Sequence, residues 1–89
     1  MACSEAAGWH VYLLRCGDGS LYCGVTNDLD ARLAAHNAGR GARYTRSRLP
    51  VALAWSEPCA DRSAAQKREA AIKKLDRPAK LRLLGASAT

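Results

Sequence analysis

The sequence predicts an α/β chain of the α+β sandwich type. A small three-stranded, mostly antiparallel sheet is flanked by helices in the order β-β-α-β-α-α. Three observations carry this expectation. Two β-rich runs, WHVYLLR at 9–15 and LYCGVT at 21–26, flank a Gly-Asp-Gly turn signal. Three later stretches carry acidic cap residues or glycine stops at helix-like spacing. The apolar supply is also small: of 43 apolar residues 18 are alanine, and only 21 are larger than alanine or cysteine. A chain of 89 residues buries only about 60–65% of its unfolded surface, so one core and one domain are the limit.

The elements follow in order. Strands at 9–15 and 21–26 make a hairpin. Asn27 or Asp28 caps a helix that runs to about Ala38 and ends at Gly39. A basic loop spans 39–49. Pro50 opens a third strand at 51–57, with Val51, Leu53 and Trp55 alternating, and Pro58 ends it. Asp61 caps a second helix at 62–75, and Asp76-Arg77-Pro78 starts a third that stops at Gly85. Residues 1–8 read as a leader, 9–85 as a single domain and 86–89 as a short tail.

Charge narrows the function classes. There are 14 Lys+Arg against 8 Asp+Glu, a formal +6. Asp30 to Glu57 contains no acid between its ends, but does contain Arg32, Arg40, Arg43, Arg46 and Arg48. Arginine recognises phosphate with a planar fork of donors, so this loop points to nucleic acid, with Arg40, Arg43, Arg46 and Arg48 as phosphate contacts and Tyr44 as a stacking or packing ring. No apolar run is long enough to span a bilayer, and no signal peptide is visible. Cysteines at 3, 16, 23 and 59 form no C-x-x-C pair, so a zinc site is not expected and they read as thiols of a cytoplasmic protein.

Several side chains stand where packing alone does not require them. Asp28, Arg32 and His36 run at i, i+4, i+8 beside the apolar stripe of Leu29 and Leu33. On the second helix Ala65, Ala71, Ile72 and Leu75 form the inward arc. Glu69 lies about 60° from Ile72 at its border. A carboxylate there could hold a hard cation such as Mg²⁺; as a plain surface residue it would pair with Lys73. Tyr12 and Tyr22 occupy the two hairpin strands. A two-residue Asp18-Gly19 turn would send them to opposite faces. A three-residue loop, Gly17-Asp18-Gly19, would pair Cys16 with Ser20, set Tyr12 opposite Gly24 and Tyr22 opposite Leu14, and put both rings on one face.

Taken together and in this order, Val11-Tyr12, Tyr22-Cys23-Gly24, Arg32, His36 and Glu69 resemble the GIY-YIG nuclease superfamily. The string YCGVTNDLDARLAAH at 22–36 resembles its second motif and following helix. The first motif's glycine and isoleucine are His10 and Val11 here, and the second motif's isoleucine is Cys23. The likeness covers residues 9–84 and is greatest to the small stand-alone bacterial members. It implies a metal-dependent endonuclease that hydrolyses DNA phosphodiester bonds, structure-selective in repair or recombination. The alternative is a weakly active or non-catalytic nucleic-acid-binding module. It also implies roles: Tyr22 takes a proton from the attacking water, Tyr12 orients water or phosphate, Arg32 neutralises the scissile phosphate, His36 assists, and Glu69 is the protein ligand of one Mg²⁺ or Mn²⁺ ion. The implied partners are DNA, or RNA, and a protein that supplies specificity. This chemistry needs both tyrosines and Arg32 around one phosphate, which selects the three-residue loop.

Overall fold

The computed structural model describes residues 8–88. The leader expected over 1–8 lies outside the described residues apart from Gly8. Strand β1 (Trp9–Arg15) pairs antiparallel with β2 (Leu21–Thr26) on one side and with β3 (Ala52–Cys59) on the other, giving the order β2-β1-β3. Helix α1 (Leu29–Asn37) follows β2, a single turn α2 (Arg43–Arg46) interrupts the basic loop, and α3 (Arg62–Lys73) and α4 (Arg77–Ala88) follow β3.

The hairpin takes the three-residue form. Cys16 N–H donates to Ser20 O at 2.9 Å, and Gly19 lies in the left-handed region at φ 85°. Asp18 Oδ1 accepts from the backbone N–H and the hydroxyl of Ser20, at 3.0 and 2.6 Å. Tyr12 therefore stands opposite Gly24 and Leu14 opposite Tyr22.

Helices sit on both faces of the sheet, which is why four consecutive β1 residues, Val11 to Leu14, are all buried. On one face Val11, Leu13, Cys23 and Trp55 pack with Ile72 of α3 and Leu83 and Leu84 of α4. On the other, Tyr12, Leu14, Cys16 and Val51 pack with Tyr22, Leu29, Leu33 and Leu49. The acidic caps hold as expected: Asp28 Oδ1 accepts from Ala31 N–H at 3.1 Å, Asp61 Oδ1 from Ala64 N–H at 2.8 Å and Asp76 Oδ1 from Ala79 N–H at 3.0 Å.

Five local expectations are corrected. The loop at 39–49 is not wholly irregular, because it holds α2. Strand β3 does not alternate cleanly: the pairing Leu13↔Trp55 is followed by Leu14↔Leu53, so Ala54 is an extra residue. The bulge turns Val51 and Leu53 to the α1 face and Trp55 to the other. Pro58 does not end β3; it lies within this edge strand opposite His10, and an edge tolerates a missing N–H. Ala71 is exposed, leaving Ala65 and Ile72 as the buried residues of α3. Helix α4 runs past Gly85 to Ala88, a glycine inside a helix costing only about 1 kcal/mol relative to alanine.

Candidate active site

The α1 face of the sheet holds a buried polar chain. Tyr12, on the central strand, is 2% exposed, and His36, in the last turn of α1, is fully buried. Arg32 lies one turn before His36 on the same helix. Arg32 Nε donates to the Tyr12 hydroxyl oxygen at 3.4 Å, and the Tyr12 hydroxyl lies 3.2 Å from His36 Nε2. On the far side of the imidazole, His36 Nδ1 lies 2.8 Å from Thr45 Oγ1, whose hydroxyl donates to Ala42 O at 2.9 Å. Every link has a partner, as a buried polar chain requires.

Burial decides the charge states. It pushes the Tyr12 phenol up from 10.0, and the neighbouring Arg32 guanidinium only partly offsets it. Tyr12 is therefore a neutral hydrogen-bond donor at neutral pH. Burial, with the Arg32 charge in addition, pulls His36 below 6.5, so the imidazole is neutral as well. Arg32 stays charged, supported first by its bond to Tyr12. At 2% and 0% exposure, Tyr12 and His36 are the interior support of the site, and Arg32 and Tyr22 are its half-buried members.

Tyr22 packs its ring edge-on against His36, with centroids 5.4 Å apart. Its other neighbour is Tyr44, stacked at 5.8 Å and 29°. The Arg48 guanidinium covers Tyr44 at 4.0 Å. Arg48 also pairs with Asp18 at 3.0 Å and donates to Tyr44 O at 2.9 Å. Arg48 thus ties α2 to the hairpin tip, where Gly17 N–H also donates to Arg48 O at 2.7 Å. Tyr44 packs against Tyr22 and under Arg48 rather than standing free. Arg40, Arg43 and Arg46 are exposed.

Glu69 belongs to α3, on the other side of the sheet, and Lys73 holds its Oε2 at 3.2 Å. The two halves meet along β2. Burial and then the Glu69 charge push the Cys23 thiol up to about 11. Lys73 is raised despite its burial by the hydrogen bond and charge of Glu69, with Tyr22 and Cys23 adding to it. Neighbouring β2 residues divide between the halves: Tyr22 packs on the α1 face and Cys23 against Ile72 of α3. Among the described residues no group of three or more His, Cys, Asp or Glu is placed to hold a metal ion. Glu69 offers one hard oxygen donor. That donor fits Mg²⁺ bound through a single carboxylate, with water and phosphate as its other ligands.

The residues expected at the site are therefore brought together in two groups: Tyr12, Tyr22, Gly24, Arg32, His36 and Tyr44 on the α1 face, and Glu69 across β2. Sequence reasoning missed Thr45, fully buried against His36, and Gly41, where a Cβ would collide with the His36 ring. It also missed Asn37, whose amide clasps Val51 N–H and O at 2.8 and 2.9 Å. The invisible signal for all three is the return of the loop over the end of α1.

This fold and constellation define a catalytic-domain class. The chain belongs to the GIY-YIG catalytic domain family, which matches residues 8–82. Within it, the chain is similar to small bacterial UPF0213 proteins. One from Desulfotalea psychrophila is 48% identical over 85 residues, covering 94% of this chain and 77% of the relative. Another from Xanthomonas axonopodis pv. citri is 51% identical over 78 residues, covering 88% and 76%. The solution structure of the UPF0213 protein from Bacillus halodurans superposes with a TM-score of 0.57 at 38% identity, covering 88% of this chain and 83% of that one. A solution structure from E. faecalis gives 0.59 at 44% identity, covering 86% and 82%. No helix among the described residues is long and apolar enough to cross a membrane.

Proposed function

We propose that this chain is a metal-dependent endonuclease domain that hydrolyses DNA phosphodiester bonds, selecting branched or nicked structures in repair or recombination. The observation that carries this reading is the convergence of Arg32 and Tyr22 on the buried Tyr12–His36 pair. Arg32 donates Nε–H to Tyr12 and also hydrogen-bonds Tyr22, which holds its charged guanidinium between the two tyrosines, where it would meet the non-bridging oxygens of the scissile phosphate. A preorganised cation placed where charge develops lowers the barrier. Tyr22, at the sheet edge, takes the proton of the attacking water. Tyr12 and His36 do not touch substrate in this reading; they hold Arg32 and Tyr22. Glu69 would hold one Mg²⁺ or Mn²⁺ ion, which when bound supplies Lewis-acid stabilisation of phosphate charge. Arg40, Arg43 and Arg46 supply sequence-independent attraction to the DNA backbone. Specificity beyond that comes from a protein partner. Cys16, Cys23 and Cys59 are free thiols, which suits a cytoplasmic setting.

The test incubates the chain with single-stranded, duplex, nicked and branched DNA, in Mg²⁺, in Mn²⁺ and in EDTA, beside Tyr22→Phe. The expected result is metal-dependent cleavage that Tyr22→Phe impairs. Salt-sensitive binding without cleavage of any substrate would replace this reading with a nucleic-acid-binding module. The Lys73 ammonium on Glu69 is the feature that favours that second reading.

A further inference from the structure

We propose that Thr45 is a positioning residue: its hydroxyl selects the tautomer of His36 and so sets the direction of the hydrogen-bond relay that ends on Arg32. The consequence for cleavage rests on the nuclease reading above, whereas the tautomer itself does not.

Thr45 is fully buried on the one-turn helix α2. Its Oγ1 lies 2.8 Å from His36 Nδ1 and 2.9 Å from Ala42 O. A hydroxyl has one proton, and a carbonyl oxygen can only accept. The Thr45 proton therefore goes to Ala42 O, and the oxygen presents a lone pair to His36. Nδ1 must then carry the imidazole proton, which leaves Nε2 bare. Nε2, 3.2 Å from the Tyr12 hydroxyl, accepts the Tyr12 proton. The Tyr12 oxygen keeps its lone pairs for Arg32 Nε–H at 3.4 Å. The relay runs in one direction: Arg32 to Tyr12 to His36 to Thr45 to the Ala42 carbonyl.

The reverse tautomer has a partner waiting. Ala42 N–H stands 3.4 Å from the same Nδ1 and would donate to it if that nitrogen were bare. Nε2–H would then point at the Tyr12 oxygen. Arg32 is a donor too, so the buried Tyr12 proton would face two donors and no acceptor. Arg32 would have to compete for that oxygen or turn away from it. Gly41 lets the chain lie against the imidazole, since any Cβ there would collide with it. The ring is held, and the choice left to it is which nitrogen carries the proton. The Thr45 hydroxyl makes that choice.

The test compares the full chain with Thr45→Val, which keeps the shape and removes the hydroxyl, and Thr45→Ser, which restores it. Nitrogen-15 spectra of labelled histidine at neutral pH report which ring nitrogen of His36 is protonated. The expected pattern is Nδ1–H in the parent and in Thr45→Ser, and Nε2–H in Thr45→Val. Cleavage kcat should fall about tenfold in Thr45→Val, as when one buried hydrogen bond is misdirected, with KM little changed and with recovery in Thr45→Ser. Nε2–H in the parent overturns the proposal, and so does a Thr45→Val variant that keeps the parent tautomer or the parent kcat. If Thr45→Val fails to fold, the parent and Thr45→Ser spectra decide: Nδ1–H in both supports the assignment, and Nε2–H in either overturns it. Absence of cleavage by every protein would sink the nuclease reading and leave the spectroscopic result to stand by itself.

Discussion

The Tyr12 hydroxyl stands where a side chain on Gly24 would have to begin: a Cβ at position 24 would come within 2.5 Å of the oxygen and 2.7 Å of the ring carbon that bears it. The two residues face each other across β1 and β2. Glycine is needed there for room, so that the tyrosine can lie flat across its neighbour strand and reach His36. Gly24→Ala should cost about 1–3 kcal/mol through overpacking, and should displace the ring from His36 and Arg32. Denaturant titration gives the stability, and loss of the His36–Tyr12 contact in NMR spectra reports the displacement.

Tyr12→Phe keeps the ring and deletes the oxygen that joins Arg32 to His36. It leaves the buried His36 Nε2 without its donor. The expected loss is about 1–3 kcal/mol of stability. Thermal melts beside Tyr22→Phe test this: Tyr22 is half-buried and its hydroxyl is not a link of the buried chain, so its removal should cost less. An equal loss in the two variants would place Tyr12 outside the network.

The neutral state of His36 makes folding pH-dependent. Its folded value lies below the unfolded 6.5, so the unfolded chain binds the proton more readily. Stability is then fully present above about pH 6.5 and is lost as the pH falls from there toward the folded value, with a slope of at most about 1.4 kcal/mol per pH unit for one proton. His36→Gln should flatten that segment of the stability–pH curve. Parallel denaturant titrations between pH 5 and 8 measure it, and an unchanged slope would show that His36 is not held neutral.

The hairpin and the helix caps were legible because their causes are local, whereas the three-residue loop was one of two local options and was selected by the chemistry that the resemblance implies. Gly19 supplies a left-handed turn position, and Asp28 and Asp61 cap the helix that follows each of them. What escaped is what distant segments do to one another. Arg48 reads as a free cation in an acid-poor window, yet Asp18, thirty residues earlier, returns to it. Leu53 reads as a core position, and a bulge at Ala54 leaves it 42% exposed beside Arg32 and Tyr12. Thr45 drew no reading in the basic loop, and α2 folds it under His36. Glu69 was legible as a border carboxylate, but its place across β2 depends on which face α3 covers.

With Arg48 committed to Asp18, three loop arginines rather than four remain for phosphate: Arg40, Arg43 and Arg46. If each neutralises one phosphate of duplex DNA, log K should fall with log salt at a slope near about −2.7. Titrations at several salt concentrations measure the slope. Arg48→Ala should leave that slope unchanged while loosening the tie between α2 and the hairpin tip. A slope that drops by about one in Arg48→Ala would put Arg48 back among the phosphate contacts.

Glu69→Ala examines the central claim most directly, in single-turnover cleavage with Mg²⁺ run beside DNA binding in EDTA. The substitution removes an i,i+4 pair with Lys73 worth only about 0.3–0.5 kcal/mol, so the domain stays folded. It also removes the carboxylate that, in the proposed function, would hold the divalent ion. Cleavage should fall by at least about a hundredfold, while binding in EDTA stays at the parent level or tightens slightly. Cleavage by Glu69→Ala at the parent rate would contradict the account, and would make Glu69 a surface partner of Lys73 and nothing more.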